Sequence, residues 1–205
     1  MITKRVVTLL ASAALATAAL TNAAFAAPEI GKPAPDFTGT DINGKTVKLA
    51  DYKGKVVVLE SYNSECPICA NHFKTGSMQE LQKELTDKGV VWLMVNSVNA
   101  KHSNYKTPEQ AKSIWSKDKI AATALIQDSE GTIGRAYDMK TTPHMYVINK
   151  EGVLVYNGAI DDKPDGSHDP RKARNYVREA VGKVSAGEKV EPAETKPYGC
   201  SVKYN

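Results

Sequence analysis

Cys66-Pro67-Ile68-Cys69 places two thiols three residues apart, after the apolar run Val56-Val57-Val58-Leu59 and before a helical pattern that begins near Ala70. A cysteine at a helix N-terminus faces unpaired backbone N–H groups and the positive end of the helix dipole, and both favour thiolate over thiol. A free cysteine titrates near ~8.5, and such a site brings it to about 3.5–7.5. Pro67 suits the first helical position, because its fixed φ fits a helix and its missing N–H would have no intrahelical partner. Cys66 is then the cap and the more exposed sulfur. Cys69, on the same side of the first turn, is within reach to resolve a mixed disulfide. The spacing predicts thiol-disulfide exchange, with Cys66 attacking and Cys69 resolving. Glu65 opposes it, since a neighbouring negative charge disfavours thiolate.

Other uses of CxxC fit less well. Haem attachment needs His after the second cysteine, and Ala70 stands there. Zinc wants a second pair of ligands, whereas the remaining candidates are Cys200 and the scattered His72, His102, His144 and His168. A static disulfide stays open. Three cysteines cannot all pair within one chain, so one thiol is left over.

The elements that must position these sulfurs follow from periodicity. Asp36 to Leu49 alternates weakly around Asn43-Gly44, which predicts an edge hairpin. Val56 to Ser61 reads as a buried parallel strand leading into the CxxC. Met78, Leu81 and Leu85 repeat at helical spacing within one helix from Ala70 to Lys88, stopped by Gly89, and Val90 to Val95 resumes as strand. That is one β-α-β unit. Thr107-Pro108 opens a further helix, Ala124 to Gln127 reads as a short strand, and Thr132 to Tyr137 as a short helix. Strands His144 to Ile148 and Val153 to Tyr156 flank a Lys150-Glu151-Gly152 turn as an antiparallel pair. A last helix spans Pro170 to Val184, and Ser185 to Lys196 reads as loop. Trp92 and Trp115 read as core, His72 as a surface histidine, and Asp161-Asp162 as a solvated loop. His144, next to Pro143, either faces the site, where its protonated form would favour thiolate, or points into the sheet.

Residues 1–26 read as an export signal: Lys4 and Arg5, an apolar stretch from Val6 to Leu20, and Ala24-Phe25-Ala26 as a cleavage site. The expected organisation is a signal at 1–26, one domain at 27–184, and a tail at 185–205 carrying Cys200. Cleavage predicts a periplasmic or otherwise exported protein without stable membrane insertion. Two of the 27 basic residues fall in the signal against 23 acidic residues in the chain, so the exported form carries only +2. That charge is too small and too interspersed for a nucleic-acid partner. Dithiol exchange needs no cofactor.

The order of elements resembles the thioredoxin-like redoxins, the broad family of exported thiol-disulfide oxidoreductases and of the alkyl hydroperoxide reductase and thiol-specific antioxidant proteins. The resemblance rests on Gly31-Lys32-Pro33-Ala34-Pro35-Asp36-Phe37, Tyr52-Lys53-Gly54-Lys55-Val56-Val57-Val58, the CxxC, and Thr142-Pro143. It implies an α/β fold, a central mixed sheet flanked by helices with the N-terminal hairpin, and a cis Pro143 packed beside the reactive cysteine. Thr142 would then turn backbone groups toward the sulfur, where a partner's extended segment can pair.

The implied partners are protein thiols and disulfides and an upstream redox partner. Peroxide is a further candidate, but the peroxiredoxin pattern Pro-x-x-x-Thr-x-x-Cys meets Leu59 and Asn63 here. The closing Pro197-Tyr198-Gly199-Cys200-Ser201-Val202-Lys203-Tyr204 resembles the tail of a redoxin-like subgroup. By that resemblance Cys200 is a candidate second resolving cysteine, beside the alternatives of a free thiol or an intermolecular disulfide. Two alternative functions stand next to disulfide exchange: a thiol-dependent peroxidase, and a copper-binding protein of redoxin fold, whose sites resemble CxxxC with a distant His.

Overall fold

The computed structural model describes residues 27–164 and 168–204, so the expected signal lies outside the described residues. In chain order the strands are β1 (Thr38–Asp41), β2 (Thr46–Lys48), β3 (Val57–Ser61), β4 (Val91–Asn96), β5 (Ala124–Gln127), β6 (Thr141–Thr142), β7 (His144–Ile148), β8 (Leu154–Gly158) and β9 (Cys200–Ser201). Among the described residues, seven of them form one mixed sheet in the order β2-β1-β5-β4-β3-β7-β8, while β6 and β9 pair apart from it.

Local chemistry accounts for the edge hairpin. Asp41 Oδ1 accepts from the backbone N–H groups of Asn43 and Lys45, both at 2.8 Å, and Gly44 supplies the left-handed residue at φ 79°. β3 lies inside the sheet, parallel to β4 and antiparallel to β7, and all five of its residues are buried. Its apolar run Val57-Val58-Leu59 reflects cover on both faces. Alternation then sorts the side chains. Val58, Trp92, Met94 and Met145 face one core with Phe73, Leu81 and Val181; Leu59, Leu93, Val95 and Tyr146 face the other with Ile133.

The single helix expected over Ala70 to Lys88 is two: α1 (Pro67–Lys74) and α2 (Ser77–Asp87). Gly76 sits between them at φ 81°, a conformation that ends one helix and caps the next. α3 (Pro108–Lys117) opens with a reciprocal capping box between Thr107 and Gln110. α4 (Thr132–Ala136) follows as expected. The last helix, α5 (Tyr176–Ser185), starts later than Pro170, because Asn175 accepts from the Arg178 N–H at 2.8 Å and sets the cap there.

The segment expected as free loop after α5 is pinned to the outer edge of β8. Asn157 donates its N–H to Ala193 O at 3.0 Å, and Thr195 donates to Asn157 O at 3.1 Å. Thr195 Oγ1 also accepts from Ala159 N–H at 2.8 Å and bonds Tyr156 Oη at 2.6 Å. Only a glycine at 158 leaves room, since a Cβ there would run into Thr195. The edge is thereby covered. Among the described residues no helix is long and apolar enough to cross a membrane.

Candidate active site

The turn before α1 aims the first sulfur. Asn63 O accepts from Cys66 N–H at 3.1 Å, and Asn63 Oδ1 accepts from Glu65 N–H at 2.9 Å. Cys66 is the extended N-cap (φ −81°, ψ 120°), Pro67 opens the helix, and Ala70 N–H closes the first turn on Cys66 O at 2.9 Å. The N-terminus of α1 is as the CxxC spacing requires.

Tertiary structure brings the candidate residues together. The Thr142-Pro143 peptide bond is cis. Cys66 Sγ lies 3.0 Å from Thr142 O and 2.8 Å from Cys200 Sγ. None of the three cysteines is in a disulfide in this structure. The expectation that Cys66 is the exposed sulfur is corrected: it is 1% exposed, because β9 pairs with β6 and lays Cys200 over it. A cleft of about 700 Å³ does open beside Pro67, lined by Tyr62, Ser64, Asn71 and Lys119, but Cys66 is not in its wall.

One negative charge is shared among three sulfurs, and it resides on Cys66. The hydrogen bond from Cys69 is the largest influence; with help from Cys200 and Thr142, and against burial, it brings the Cys66 thiol down to about 4. Burial pushes Cys69 well above the ordinary thiol range, and the hydrogen bond it gives to Cys66, with the charges of Cys66 and Glu60, pushes it further. Cys200 is pushed up to about 11 by burial and then by Cys66. Glu65 does not act as an unopposed charge, since its carboxylate pairs with Lys106 Nζ at 2.8 Å.

Glu60 escaped the sequence reading. It stands six residues before Cys66, fully buried at the end of an apolar run, and that lone carboxyl inside a strand was the available signal. Its Oε2 accepts from Trp92 Nε1 at 2.7 Å and Gln82 Nε2 at 3.4 Å, while Oε1 has no partner. Burial raises its carboxyl to about 7.

Of the two histidines, His144 takes the sheet-facing of its two expected placements, while the surface reading of His72 is corrected. His144 is buried, with Nε2 2.7 Å from Asn157 Oδ1 and Nδ1 accepting from Lys140 N–H at 3.3 Å. Burial lowers it to about 4, so near neutral pH it is uncharged and bonded to its own sheet rather than to the sulfur. His72 is also buried and lowered to about 4 by burial, with Nε2 3.9 Å from Asp161 Oδ2. Asp161 is likewise no solvated loop residue. It is 2% exposed and accepts the Tyr198 hydroxyl at 2.6 Å, drawn inside by the tail; Asp162 remains exposed. Among the described residues no group of three or more His, Cys, Asp or Glu side chains is arranged to hold a metal ion.

Residues 30–157 match the AhpC/TSA family. Over 127 residues the chain is 30% identical to thiol-disulfide oxidoreductase ResA of Bacillus thuringiensis, covering 62% of this chain and 68% of that one. Among solved structures, an uncharacterized conserved protein from Geobacillus kaustophilus superposes with a TM-score of 0.75 at 26% identity, over 86% of this chain and 93% of the other. The thioredoxin domain of a thiol-disulfide oxidoreductase from Bacteroides vulgatus superposes with a TM-score of 0.50 at 24% identity, over 63% and 87%. The fold is thioredoxin-like.

Proposed function

Because this chain belongs to the AhpC/TSA family, we propose that it is an exported thiol-disulfide oxidoreductase acting through Cys66 and Cys69 on protein thiols and disulfides. The relatives named as thiol-disulfide oxidoreductases support the reaction class. The observation that carries the residue assignment is the Cys66 sulfur at the N-cap of α1, held as thiolate by a buried, protonated Cys69.

The Cys66 thiolate attacks one sulfur of a partner disulfide, forming a mixed disulfide, and the partner's other sulfur leaves as thiolate and takes a proton from solvent. Once the Cys66 charge is gone, the largest charge holding the proton on Cys69 is gone too. Glu60, the buried carboxyl whose charge acts on Cys69 and whose own proton is lost at about 7, is the group we assign to accept that proton. Cys69 then attacks Cys66 Sγ, closing a Cys66–Cys69 disulfide and releasing the partner's second thiol. Two electrons have passed to the partner, and a reducing thiol partner restores the pair. The sequence runs equally in the oxidising direction. Cys200 lies close enough to Cys66 to take the same resolving step.

Equilibrating the chain in a series of glutathione redox buffers, trapping thiols by alkylation and mapping cysteine pairs by mass tests this reading. A reversible Cys66–Cys69 bond is expected. If Cys66 pairs only with Cys200, or with nothing, the CxxC mechanism is wrong.

A further inference from the structure

We propose that the C-terminal segment Pro197–Tyr204 is a tethered substrate mimic. It occupies the strand edge at Thr141–Thr142 where a partner's extended, cysteine-bearing segment would pair, and it must leave before Cys66 can meet a partner. The proposal rests on the exchange reading above and adds what the edge accepts and what guards it.

The segment is seated as an added strand. Thr141 pairs with Ser201 and Thr142 with Cys200 in antiparallel register, Val202 N–H donates to Lys140 O at 3.1 Å, and Thr142 Oγ1 donates to Cys200 O at 3.4 Å. Strand addition at a free edge is a general way of holding an extended peptide, the backbone giving affinity and side-chain fit giving selectivity. Here the register delivers a sulfur to 2.8 Å from Cys66, the separation an attacked sulfur must approach, while leaving Cys66 only 1% exposed. A nucleophile so covered reacts with another protein only after its cover moves.

The seated sequence also reports a selectivity. Gly199, immediately before the cysteine, stands at φ 126°, and a Cβ there would run into Thr142 O. The edge therefore selects a glycine before the reacting cysteine of a partner segment that follows the same path.

Anchors on either side of Cys200 hold the strap. Tyr198 reaches Asp161, Asn99 N–H donates to Lys203 O at 2.8 Å, and Tyr204 donates to Met139 O at 2.8 Å beneath the Arg135 guanidinium, 4.6 Å from the ring centroid. Gly134 makes the slot for Tyr204, since a Cβ there would lie 2.6 Å from its hydroxyl. Against the five-residue β3–β4 and β3–β7 ladders, this two-residue ladder belongs to the part of the fold that opens most easily.

The test uses the full chain carrying Cys200→Ser, which keeps the strap and removes its thiol. Into it are placed, separately, Tyr204→Ala, which cuts an anchor, and Gly199→Ala, which breaks the seat; both lie outside the core. Iodoacetamide labelling of Cys66 is followed by mass. In parallel, the chain is mixed with the peptide Tyr-Gly-Cys-Ser-Val-Lys, its cysteine joined to thionitrobenzoate, so that attack by the Cys66 thiolate forms the protein–peptide disulfide and expels coloured thionitrobenzoate. Both rates are expected to rise roughly tenfold or more in either variant, and a peptide with Val in place of Gly is expected to react more slowly. Unchanged labelling in both variants overturns the proposal whatever the exchange activity. Faster labelling without release of thionitrobenzoate overturns the exchange reading and the substrate-mimic role with it. Equal rates for the Gly and Val peptides overturn the selectivity.

Discussion

Trp92 Nε1 donates a 2.7 Å hydrogen bond to Glu60 Oε2 beneath the CxxC, from the strand that runs parallel to Glu60's own. The pairing puts an ionisable group on the apolar floor of the site with one oxygen bonded and the other, Oε1, bare.

Glu60 makes stability depend on pH in a defined direction. Its carboxyl lies at about 7 in the folded chain against 4.5 as the reference, so the unfolded chain loses the proton first as pH rises. Stability is full below about 4.5 and falls as pH climbs through 7, by roughly 3 kcal/mol in all. Glu60→Gln is therefore expected to be more stable than the wild type at pH 8 and about equal to it at pH 4. Denaturant unfolding of the reduced proteins at both values checks this, and parallel curves would refute it.

Trp92→Phe removes the donor but keeps most of the ring. A buried carboxylate that loses its best partner costs about 1–3 kcal/mol, and the Glu60 midpoint is expected to move above its present value, because the Trp92 bond is the largest influence holding it down. Carbon-detected titration of the Glu60 carboxyl reads the shift. In the Glu60→Gln background the same substitution should cost less, the mark of a direct coupling.

The Cys66 thiolate predicts a flat reactivity profile. Alkylation at Cys66 should rise with a midpoint of about 4 and change little from there to neutral pH. Cys69→Ala removes the largest stabilising hydrogen bond and should move the midpoint up further than Cys200→Ala, whose contribution ranks lower. The reverse order would show that the tail, not the CxxC, holds the charge.

Lys106→Ala releases Glu65 from its ion pair. Lys106 is 21% and Glu65 45% exposed, so the change in stability should stay within about 1 kcal/mol. The unpaired carboxylate beside Cys66 should nevertheless raise the midpoint of Cys66 alkylation, and added salt should shrink the difference between variant and wild type. A salt-independent difference would argue against an electrostatic origin.

The sequence by itself determined the elements whose causes are local. Asn43-Gly44 made the hairpin, the apolar run made β3, and Cys-Pro at the end of that run made a capped helix with a favoured thiolate. Each depends on a few consecutive residues and their dihedral preferences, which periodicity and turn chemistry report. Tertiary structure decided everything that depends on which distant surfaces meet. Cys200 reaches Cys66 from 134 residues away because a two-residue strand finds the edge beside cis Pro143, and no local pattern encodes that meeting. Burial is of the same kind. His72, His144, Asp161 and Glu60 look alike on paper to any surface polar residue, and only the packing of helices and tail around them removed their water; for His72, His144 and Glu60 that burial also moved the proton.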